Sequence, residues 1–267
     1  MTQNEKKLLR SLLTKKGRTA NQQFLAEGIR LLEESVKHNF LPQKVYFAGH
    51  EISPRADRLI KQFIRLGIPI QSISLREMAQ IADTATDQGI LGLFDMDRIV
   101  MDIDNTAEIE NDSILLLDNI SDPGNAGTLF RSALAFEFNT VAVTSGTVDI
   151  FNPKVVRSSA GAVFGLKISA VTTDSLARIK REKKSFLLAT DIEGESFSDG
   201  LKKLDLINPI ILAIGGEAEG LSDKILKLAD VRLRIEHSEK VESLNAAVAG
   251  SIIMREIYQL RTGSKEK

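Results

Sequence analysis

The 267-residue sequence contains no cysteine. Disulfide bonds, thiolate nucleophiles and cysteine-ligated zinc are therefore excluded, and the composition is compatible with a reducing compartment. Histidine is also scarce, and the three histidines, His38, His50 and His237, lie far apart in the sequence. Because metal-binding histidines usually occur at close spacing, the sequence predicts no structural or catalytic metal.

Long apolar runs are missing as well. No stretch approaches the ~18 apolar residues that a membrane span needs, and the polar residues 1–10 lack the apolar core of a secretion signal. Hydrophobic residues make up 43% and charged residues 27% of the chain, which is the composition of an ordinary globular protein. We expect a cytoplasmic protein, long enough for two packed domains.

The net charge is only −1, but the charges are unevenly distributed. Near the amino terminus Glu5 is the only acidic residue within a cluster of basic ones: Lys6, Lys7, Arg10, Lys15, Lys16 and Arg18. Counterion release makes such a cluster suitable as a phosphate-binding arm. The alternative is a solvated terminal helix whose charges bind nothing, and the residues alone leave both interpretations open.

Helix-like and strand-like stretches alternate along the whole chain, with a break in the middle. Apolar positions at helical spacing predict a helix over 20–37, and short strands are predicted at 44–48, 68–73 and 90–94. The acid-rich stretch 95–111 interrupts this pattern and predicts a domain boundary near residue 105. From residue 113, continuous apolar runs predict a parallel sheet covered on both faces, followed by a long helix over 242–260.

The first motif segment, residues 115–131, runs from an apolar strand through a Pro-Gly turn into a helix. A helix that begins at the carboxyl end of a strand offers unpaired N–H groups to an anion. Arg131 lies about one and a half turns after Asn125 and would add a bidentate phosphate contact. These residues predict a site for an RNA backbone. The alternative is that Asn125 only caps the helix and Arg131 is a surface cation.

The second motif segment, residues 210–223, again joins a strand, a glycine-rich turn and a capped helix. Gly215, Gly216 and Gly220 permit close backbone approach to a flat ligand such as adenosine. The turn has neither the G-x-G-x-x-G pattern nor the lysine of a phosphate loop, which disfavours dinucleotide and nucleoside triphosphate binding. Because glycine-rich turns are common, a purely structural turn is the alternative.

The third motif segment, residues 235–250, places Ser243 and Asn245 ahead of a helix rich in alanine and glycine. Hydroxyl and amide groups at such a junction can orient a substrate hydroxyl, or they can simply cap the helix. His237, in the same segment, is interpreted as a surface loop residue rather than a base.

In this order, the three motif segments resemble the three motifs of the SpoU (TrmH-like) family of SPOUT RNA 2′-O-ribose methyltransferases. The matching patterns are N-x-x-x-x-x-R after a Pro-Gly turn, G-x-E-x-x-G-L, and S-L-N before a small-residue helix. Residues 148–161 are similar to the link that follows the first motif in ribosomal-RNA members. Residues 15–34 are similar to the family's substrate-binding domain, which has an L30e-like ribosomal-protein fold.

The resemblance implies an α/β protein with a small L30e-like RNA substrate-binding domain at 1–105 and a Rossmann-like parallel-sheet SPOUT domain at 106–267. It also implies a carboxyl-terminal trefoil knot that binds S-adenosylmethionine and an active site shared across a homodimer. The expected reaction is methylation of a ribose 2′-hydroxyl in 23S ribosomal RNA, because a separate front domain resembles the ribosomal members. A transfer-RNA 2′-O-methyltransferase and a non-catalytic RNA-binding or ribosome-assembly protein are the alternatives.

The resemblance also assigns roles to individual residues. The expected catalytic residues are Asn125, Arg131, Glu217, Ser243 and Asn245. The expected cofactor contacts, largely through backbone atoms, are Thr144, Gly215, Ile235 and Leu244. The resemblance favours the phosphate-binding arm, and the expected RNA contacts are Lys15, Lys16, Arg18 and Arg30.

The sequence departs from the family pattern in the loop after Ile235. Family members often have Ile-Pro-Met-x-Gly before Ser-Leu-Asn, whereas here Ile235 is followed by Glu236, His237 and Ser238. The spacing from Ile235 to Leu244 is kept, but the conformation of residues 236–239 is not predicted.

Arg131 is unsuited to act as a general base, because a guanidinium keeps its proton. We therefore expect Arg131 to grip the phosphate beside the target ribose, while a phosphate oxygen or water accepts the proton of the 2′-hydroxyl. Ser243 and Asn245 would orient the nucleotide. Glu217 would hold either Arg131 or the loop.

Overall fold

A computed structural model describes residues 1–49, 53–83, 89–101, 113–203, 208–217 and 219–263. Its helices are α1 (Gln3–Ser11), α2 (Lys15–Asn21), α3 (Ile29–Lys37), α4 (Pro54–Arg65), α5 (Leu75–Met78), α6 (Pro123–Ala135), α7 (Pro153–Ser158), α8 (Thr173–Glu182), α9 (Phe197–Leu201), α10 (Asp223–Leu228) and α11 (Ala246–Gly263). Its strands are β1 (Gln23–Glu27), β2 (Lys44–Ala48), β3 (Ile70–Ile73), β4 (Ile90–Asp95), β5 (Ile114–Asp118), β6 (Thr140–Val143), β7 (Lys167–Ala170), β8 (Phe186–Ser196), β9 (Ile210–Gly215) and β10 (Val231–Arg234).

These elements form two compact units. The first unit contains Met1–Ile99 and Asp149–Gly165, and the second contains Val100–Val148 and Leu166–Lys267. The predicted boundary at residue 105 lies outside the described residues, as do most of the acidic residues that suggested it.

The first unit is built on a four-stranded sheet with the order β1-β4-β2-β3. Strand β4 is antiparallel to both β1 and β2, whereas β2 and β3 are parallel. Strands β2, β3 and β4 confirm the short strands predicted from the sequence. Apolar side chains from α1, β1, β2 and β4 form a buried core on this sheet.

Strand β1 replaces part of the helix predicted over 20–37, so that prediction was wrong for these residues. Phe24, Leu25 and Ala26 are all buried, and Phe24 lies opposite Phe94 in β4. Three consecutive buried residues fit a strand that is covered on both faces, not one face of a helix. Gly28, with φ at 108°, then turns the chain into α3, because glycine adopts that conformation without a steric penalty.

Phenylalanine rings join the segment Asp149–Gly165 to the first unit. The ring centroid of Phe151 lies 4.7 Å from that of Phe24, and the centroid of Phe164 lies 5.0 Å from that of Phe94. Aromatic pairs at such distances contribute about 0.5–1.5 kcal/mol beyond their buried area. The link that the sequence suggested at 148–161 therefore belongs, from Asp149 onward, to the core of the first unit.

The second unit is built on a six-stranded sheet with the order β10-β8-β9-β5-β6-β7. All of its strand pairs are parallel, which confirms the predicted parallel sheet. All residues of β5 are buried, as are all residues of β9 beside it. Their continuous apolar runs follow from this central position, because both faces of the sheet are covered there.

Strands β5 and β9 are neighbours, but the chain leaves them in opposite directions. After β5 the chain passes through α6 to β6, whereas after β9 it passes through α10 to β10, beyond β8. In open parallel sheets, ligands bind in the crevice at the carboxyl ends of two such strands. Asp118 at the end of β5 pairs with Gly215 at the end of β9. The first and second motif segments therefore meet at this crevice.

The described residues were also compared with the requirements of a membrane span and of a metal site. Within them, no helix is both long and apolar enough to cross a membrane. The same residues include no group of three or more histidine or carboxylate side chains arranged to hold a metal ion. The trefoil knot expected near the carboxyl terminus stays a prediction.

Candidate functional site

Helix α6 begins directly after the turn that follows β5. The Asp122 carboxylate accepts a hydrogen bond of 2.8 Å from the backbone N–H of Asn125, and Pro123 occupies the first helical turn. Asp122, not Asn125, is therefore the amino-terminal cap of α6. The side chain of Asn125 is left for contacts outside its own helix.

Helix α11 begins at Ala246, later than the predicted start at residue 242. The Oδ1 atom of Asn245 accepts hydrogen bonds from the N–H groups of Ala247 at 3.0 Å and Val248 at 3.2 Å. Of the two residues that the sequence offered as caps, Asn245 is therefore the one that caps α11. The Nδ2 atom of Asn245 remains available as a donor.

Three side chains, one from each motif segment, meet in a hydrogen-bonded group that we call the amide–carboxylate cluster (Asn125, Glu217 and Asn245). Nδ2 of Asn245 donates to Oδ1 of Asn125 at 2.9 Å and to Oε1 of Glu217 at 2.7 Å. Nδ2 of Asn125 donates to the same Glu217 oxygen at 2.7 Å. Asn125 is half-buried, and the other two are exposed. The cluster therefore lies at the crevice with its polar groups accessible.

Arg131 and Ser243 are not part of this cluster. Arg131 lies about 1.7 turns after Asn125, which places the two side chains on different faces of α6. The Arg131 side chain is exposed and has no hydrogen bond or ion pair with any described residue. Glu217 thus accepts hydrogen bonds from the side-chain amides of Asn125 and Asn245, and no described hydrogen bond or ion pair joins it to Arg131 or to its own loop. Ser243 is exposed, and its hydroxyl forms no hydrogen bond with a described residue.

The glycine-rich turn after β9 requires close backbone approach. A Cβ atom on Gly215 would lie 2.2 Å from the carbonyl carbon of Gly220, and one on Gly216 would lie 2.4 Å from the carbonyl oxygen of Asn119. The N–H of Gly220 donates to the carbonyl oxygen of Gly216 at 2.9 Å and closes the turn. Because these glycines lack a Cβ atom, the turn can lie against the end of β5. That position brings Glu217 within hydrogen-bond distance of the side-chain amides of Asn125 and Asn245.

The expected cofactor contacts lie at the carboxyl edge of the sheet or in the loop that follows it. Thr144 follows β6, Gly215 ends β9 and Ile235 follows β10. Ile235 and Leu244 are half-buried. The backbone N–H of Leu244 has no hydrogen-bond partner among the described residues. Open backbone groups beside apolar side chains suit the adenosine part of S-adenosylmethionine.

Thr144 differs from the other expected cofactor contacts because its donors are already used. Its hydroxyl donates to the Asp118 carboxylate at 2.8 Å and accepts from the N–H of Asn119 at 3.3 Å. Its own N–H donates to the carbonyl oxygen of Leu117 at 3.0 Å. Thr144 is therefore left without a donor for a ligand. Asp118 was not among the residues expected from the sequence, because its only signal is a carboxylate at the end of an apolar strand.

The basic residues expected to contact RNA divide into two groups. Lys15, Lys16 and Arg30 are exposed in the first unit. Arg18 is only 3% exposed. Its Nε donates to Asp149 at 3.1 Å and its Nη1 to a backbone carbonyl oxygen at 2.7 Å. This ion pair holds the guanidinium inside the first unit, so the prediction that Arg18 contacts RNA was wrong.

The loop that departs from the family pattern is exposed from Glu236 to Glu239. Nδ1 of His237 lies 3.2 Å from the carbonyl oxygen of Ser238, and the Ser238 hydroxyl accepts from the N–H of Lys240 at 3.2 Å. His237 is thus a surface loop residue, as interpreted from the sequence.

Two family models match the chain. That of the SpoU rRNA Methylase family matches residues 112–255, and that of the MRM3-like substrate binding domain matches residues 4–92. The first match covers more than half of the chain and includes all three motif segments.

Individual proteins are similar over nearly the whole chain. The sequence is 30% identical to an uncharacterised tRNA/rRNA methyltransferase of Synechocystis, over 94% of this chain and 89% of that protein. It is 29% identical to the 23S rRNA (guanosine(2553)-2′-O)-methyltransferase RlmP of Bacillus subtilis, over 94% of both chains. The solved structure of the SpoU methyltransferase AviRb from Streptomyces viridochromogenes with AdoMet has a TM-score of 0.79 at 25% identity, covering 97% of this chain and 99% of the other.

Proposed function

The chain belongs to the SpoU rRNA methylase family, and from that premise we propose that it methylates a ribose 2′-hydroxyl of large-subunit ribosomal RNA with S-adenosylmethionine. The amide–carboxylate cluster carries the proposal, because side chains from three separate segments converge where an open parallel sheet binds its ligands. The name of the Bacillus subtilis relative specifies both 23S rRNA and the 2′-oxygen, which supports this choice of target.

S-adenosylmethionine supplies a methyl group on a sulfonium. The protein's task is to hold the 2′-oxygen in line with that methyl group, since alignment near contact distance supplies much of the rate enhancement. Glu217 fixes the side-chain amides of Asn125 and Asn245 by accepting a hydrogen bond from each. We assign the orientation of the target nucleotide to these amides and to Ser243, and the contact with the cofactor to backbone groups at Gly215, Ile235 and Leu244.

Arg131 is assigned to the phosphate beside the target ribose. Its guanidinium is exposed and is not paired with any residue that the structure describes. A planar guanidinium binds two phosphate oxygens at once, and it does not give up its proton. A phosphate oxygen or water therefore accepts the proton of the 2′-hydroxyl.

The remaining basic residues support a separate RNA-binding region. We propose that the front domain, residues 1–105, grips the RNA through exposed Lys15, Lys16 and Arg30, and that residues 106–267 carry out the transfer. Phosphate contacts of this kind give affinity without sequence specificity. A ribosomal substrate also supports the cytoplasmic location expected from the sequence.

We further propose that the active protein is a homodimer. Val248 is 48% exposed and Ile252 is 36% exposed, about one turn apart on α11. This apolar face begins one turn after Asn245, so a second copy seated on it would adjoin the amide–carboxylate cluster. Two identical faces meet readily around a twofold axis.

Light scattering on the purified chain tests the dimer. We expect a dimeric mass for the native chain and a monomeric mass when Val248→Lys and Ile252→Lys are combined. Gln62→Lys, at an exposed position of α4, is the control and should remain dimeric. A native chain that is monomeric at micromolar concentration would contradict this part of the proposal.

The function itself is tested by calorimetry and by mapping of methylated nucleotides. We expect the chain to bind S-adenosylmethionine, and one 2′-O-methyl group of large-subunit ribosomal RNA to be absent from cells that lack the gene. Loss of a methyl group from transfer RNA instead would overturn the assigned substrate. No binding of S-adenosylmethionine at millimolar concentration would overturn the enzymatic proposal and favour an RNA-binding protein.

A further inference from the structure

Asp118 connects the ends of three strands around the crevice. It is the last residue of β5 and is 2% exposed. Its Oδ1 accepts from the Thr144 hydroxyl at 2.8 Å, and its Oδ2 accepts from the Ser222 N–H at 2.7 Å. Its backbone oxygen accepts from the Gly216 N–H at 3.0 Å. Thr144 follows β6, and the other two donors follow β9, so one residue holds both of these loops against β5.

The ionisable group of Asp118 is not paired with a cation among the described residues. Removing a carboxylate from water is costly, so a buried carboxylate stabilises a fold less than an apolar residue of similar volume would. Two hydrogen bonds to separate loops offset that cost only where the loops lie in this arrangement. The buried carboxylate therefore specifies the relative position of the loops.

Asn119, the next residue, is fixed by the same loops. Its φ of 57° is left-handed, a conformation that asparagine adopts more readily than most residues. A Cβ atom on Gly146, in the loop after β6, would lie 1.8 Å from the Oδ1 atom of Asn119, and one on Gly216 would lie 2.4 Å from its carbonyl oxygen. The loops after β6 and β9 thus close on the end of β5 from two sides, independently of the Asp118 carboxylate.

We propose that Asp118 is a positioning residue for the cofactor: through Thr144 and Ser222 it sets the spacing between the loops after β6 and β9, at the crevice where S-adenosylmethionine binds. This inference rests on the proposed function. Because Asp118 is buried and Thr144 has no donor left for a ligand, we assign neither residue a role in the transfer step. Loss of the hydrogen bond between Asp118 and Thr144 weakens cofactor binding. It leaves the rate of methyl transfer largely unchanged at saturating cofactor.

Substitutions at Thr144 test the proposal with little change of volume. Thr144→Val removes the hydroxyl that Asp118 accepts, and we expect the Kd for S-adenosylmethionine to rise about 10-fold, the effect of one charge-assisted hydrogen bond. The rate of methyl transfer at saturating cofactor should stay within about twofold. Thr144→Ser retains the hydroxyl and should restore most of the affinity. Asp118→Asn should raise the Kd as well, and adding Thr144→Val to it should have little further effect.

Ser113→Ala is the matched control for a general loss of stability. Ser113 is fully buried at the opposite end of the same sheet region, where its hydroxyl contacts the Ile210 N–H at 3.3 Å and Nη1 of Arg261 at 2.6 Å. We expect this variant to lower the melting temperature without a change in cofactor Kd. The positioning role of Asp118 is overturned if the Kd is unchanged in both Thr144→Val and Asp118→Asn, or if the Kd rises equally in Ser113→Ala. Neither outcome affects the proposed function. A native chain that does not bind the cofactor overturns the proposed function as well.

Discussion

Asn245 donates its side-chain amide to Asn125 over a distance of 2.9 Å, although the two residues are 120 positions apart in the sequence. The same Nδ2 atom also donates to Glu217, while Oδ1 of Asn245 caps α11. Asn245 therefore links the start of the last helix to the amide–carboxylate cluster. Its two functional atoms have separate tasks, which substitution can distinguish.

Asn245→Asp is predicted to reduce methyl transfer while leaving the helix cap in place. An aspartate oxygen still accepts from the N–H groups of Ala247 and Val248, but the second oxygen cannot donate to Glu217 and is repelled by it. Misplacement of the nucleotide should lower the single-turnover rate by roughly 100-fold, with little change in melting temperature. Asn245→Ala should lower the stability as well, by about 0.5–2 kcal/mol, because the cap is removed. Native activity in Asn245→Asp would exclude the orienting role.

Glu217→Gln and Glu217→Ala are predicted to differ in severity. Glutamine keeps an oxygen that accepts from the two asparagine amides, but without the charge, which makes such bonds roughly half as strong. We expect a loss of about 10-fold in kcat for Glu217→Gln and a loss of about 100-fold for Glu217→Ala, where both amides are left without their acceptor. Glu219→Gln, exposed in the same turn, is the control and should have native kcat. Equal kcat values for the two Glu217 variants would show that its oxygen does not fix the amides.

Arg131→Lys is predicted to abolish most methyl transfer with cofactor binding intact. Lysine keeps the positive charge but cannot bind two phosphate oxygens in a plane, so Arg and Lys are not equivalent at such a site. The measurements are the single-turnover rate and the Kd for S-adenosylmethionine. Arg181→Lys, at an exposed position of α8, is the control. Near-native turnover in Arg131→Lys would contradict the bidentate phosphate contact.

Lys15 and Lys16 are predicted to contribute to RNA affinity, whereas Arg18 contributes to stability. Replacing both lysines by alanine should weaken RNA binding without a change in melting temperature. The slope of log K against log salt should fall by about 0.7–0.9 for each phosphate that the variant no longer neutralises. Arg18→Ala leaves the Asp149 carboxylate unpaired, and removal of one partner of a buried ion pair costs about 3–5 kcal/mol. Filter binding at several salt concentrations and thermal melting measure the two effects. The reverse result, with Arg18→Ala impaired only in RNA binding, would contradict the ion-pair role.

Glu5 is predicted to make the first unit sensitive to acid. Burial by itself raises the pKa of Glu5, but hydrogen bonds from Lys44 and Tyr46, together with the charge of Lys44 and a backbone hydrogen bond at Thr2, hold the pKa below its usual value. A carboxyl group whose folded-state pKa is lowered contributes stability above its unfolded-state pKa, about 4.3. That contribution is lost as the pH falls through the folded-state pKa. Glu5→Gln should therefore lower the melting temperature at pH 7 and reduce its further decline towards about pH 3. A parallel decline in both proteins would contradict this role.

The second unit was largely predictable because its strands β5 and β9 occupy the centre of a parallel sheet. The apolar runs of β5 and β9 are continuous, and no polar residue interrupts them before Asp118 and Gly215. The amide–carboxylate cluster followed from the order of three motif segments and their resemblance to a family. Periodicity alone did not place Asn125, Glu217 and Asn245 together, since each segment also had a purely structural explanation.

Long-range partners account for what the sequence did not predict. Phe24 and Leu25 satisfy a helical pattern as well as a strand, and the strand forms because β4 supplies the pairing partner. Arg18 resembled a surface cation because its carboxylate partner lies 131 positions away. The function of Asp118 likewise exists only where the loops after β6 and β9 adjoin the end of β5, which local sequence does not determine.

The segment Asp149–Gly165 has a consequence for modular exchange. The chain leaves the second unit after Val148 and returns to it after Gly165, having placed Phe151 against Phe24 and Phe164 against Phe94. A front domain excised at residue 105 would lack these two rings, and the faces of Phe24 and Phe94 would be exposed to water. A single exchange site therefore cannot transfer the front domain together with all of its core. A chimaera that takes residues Met1–Ile99 from another family member needs the segment matching Asp149–Gly165 from the same parent.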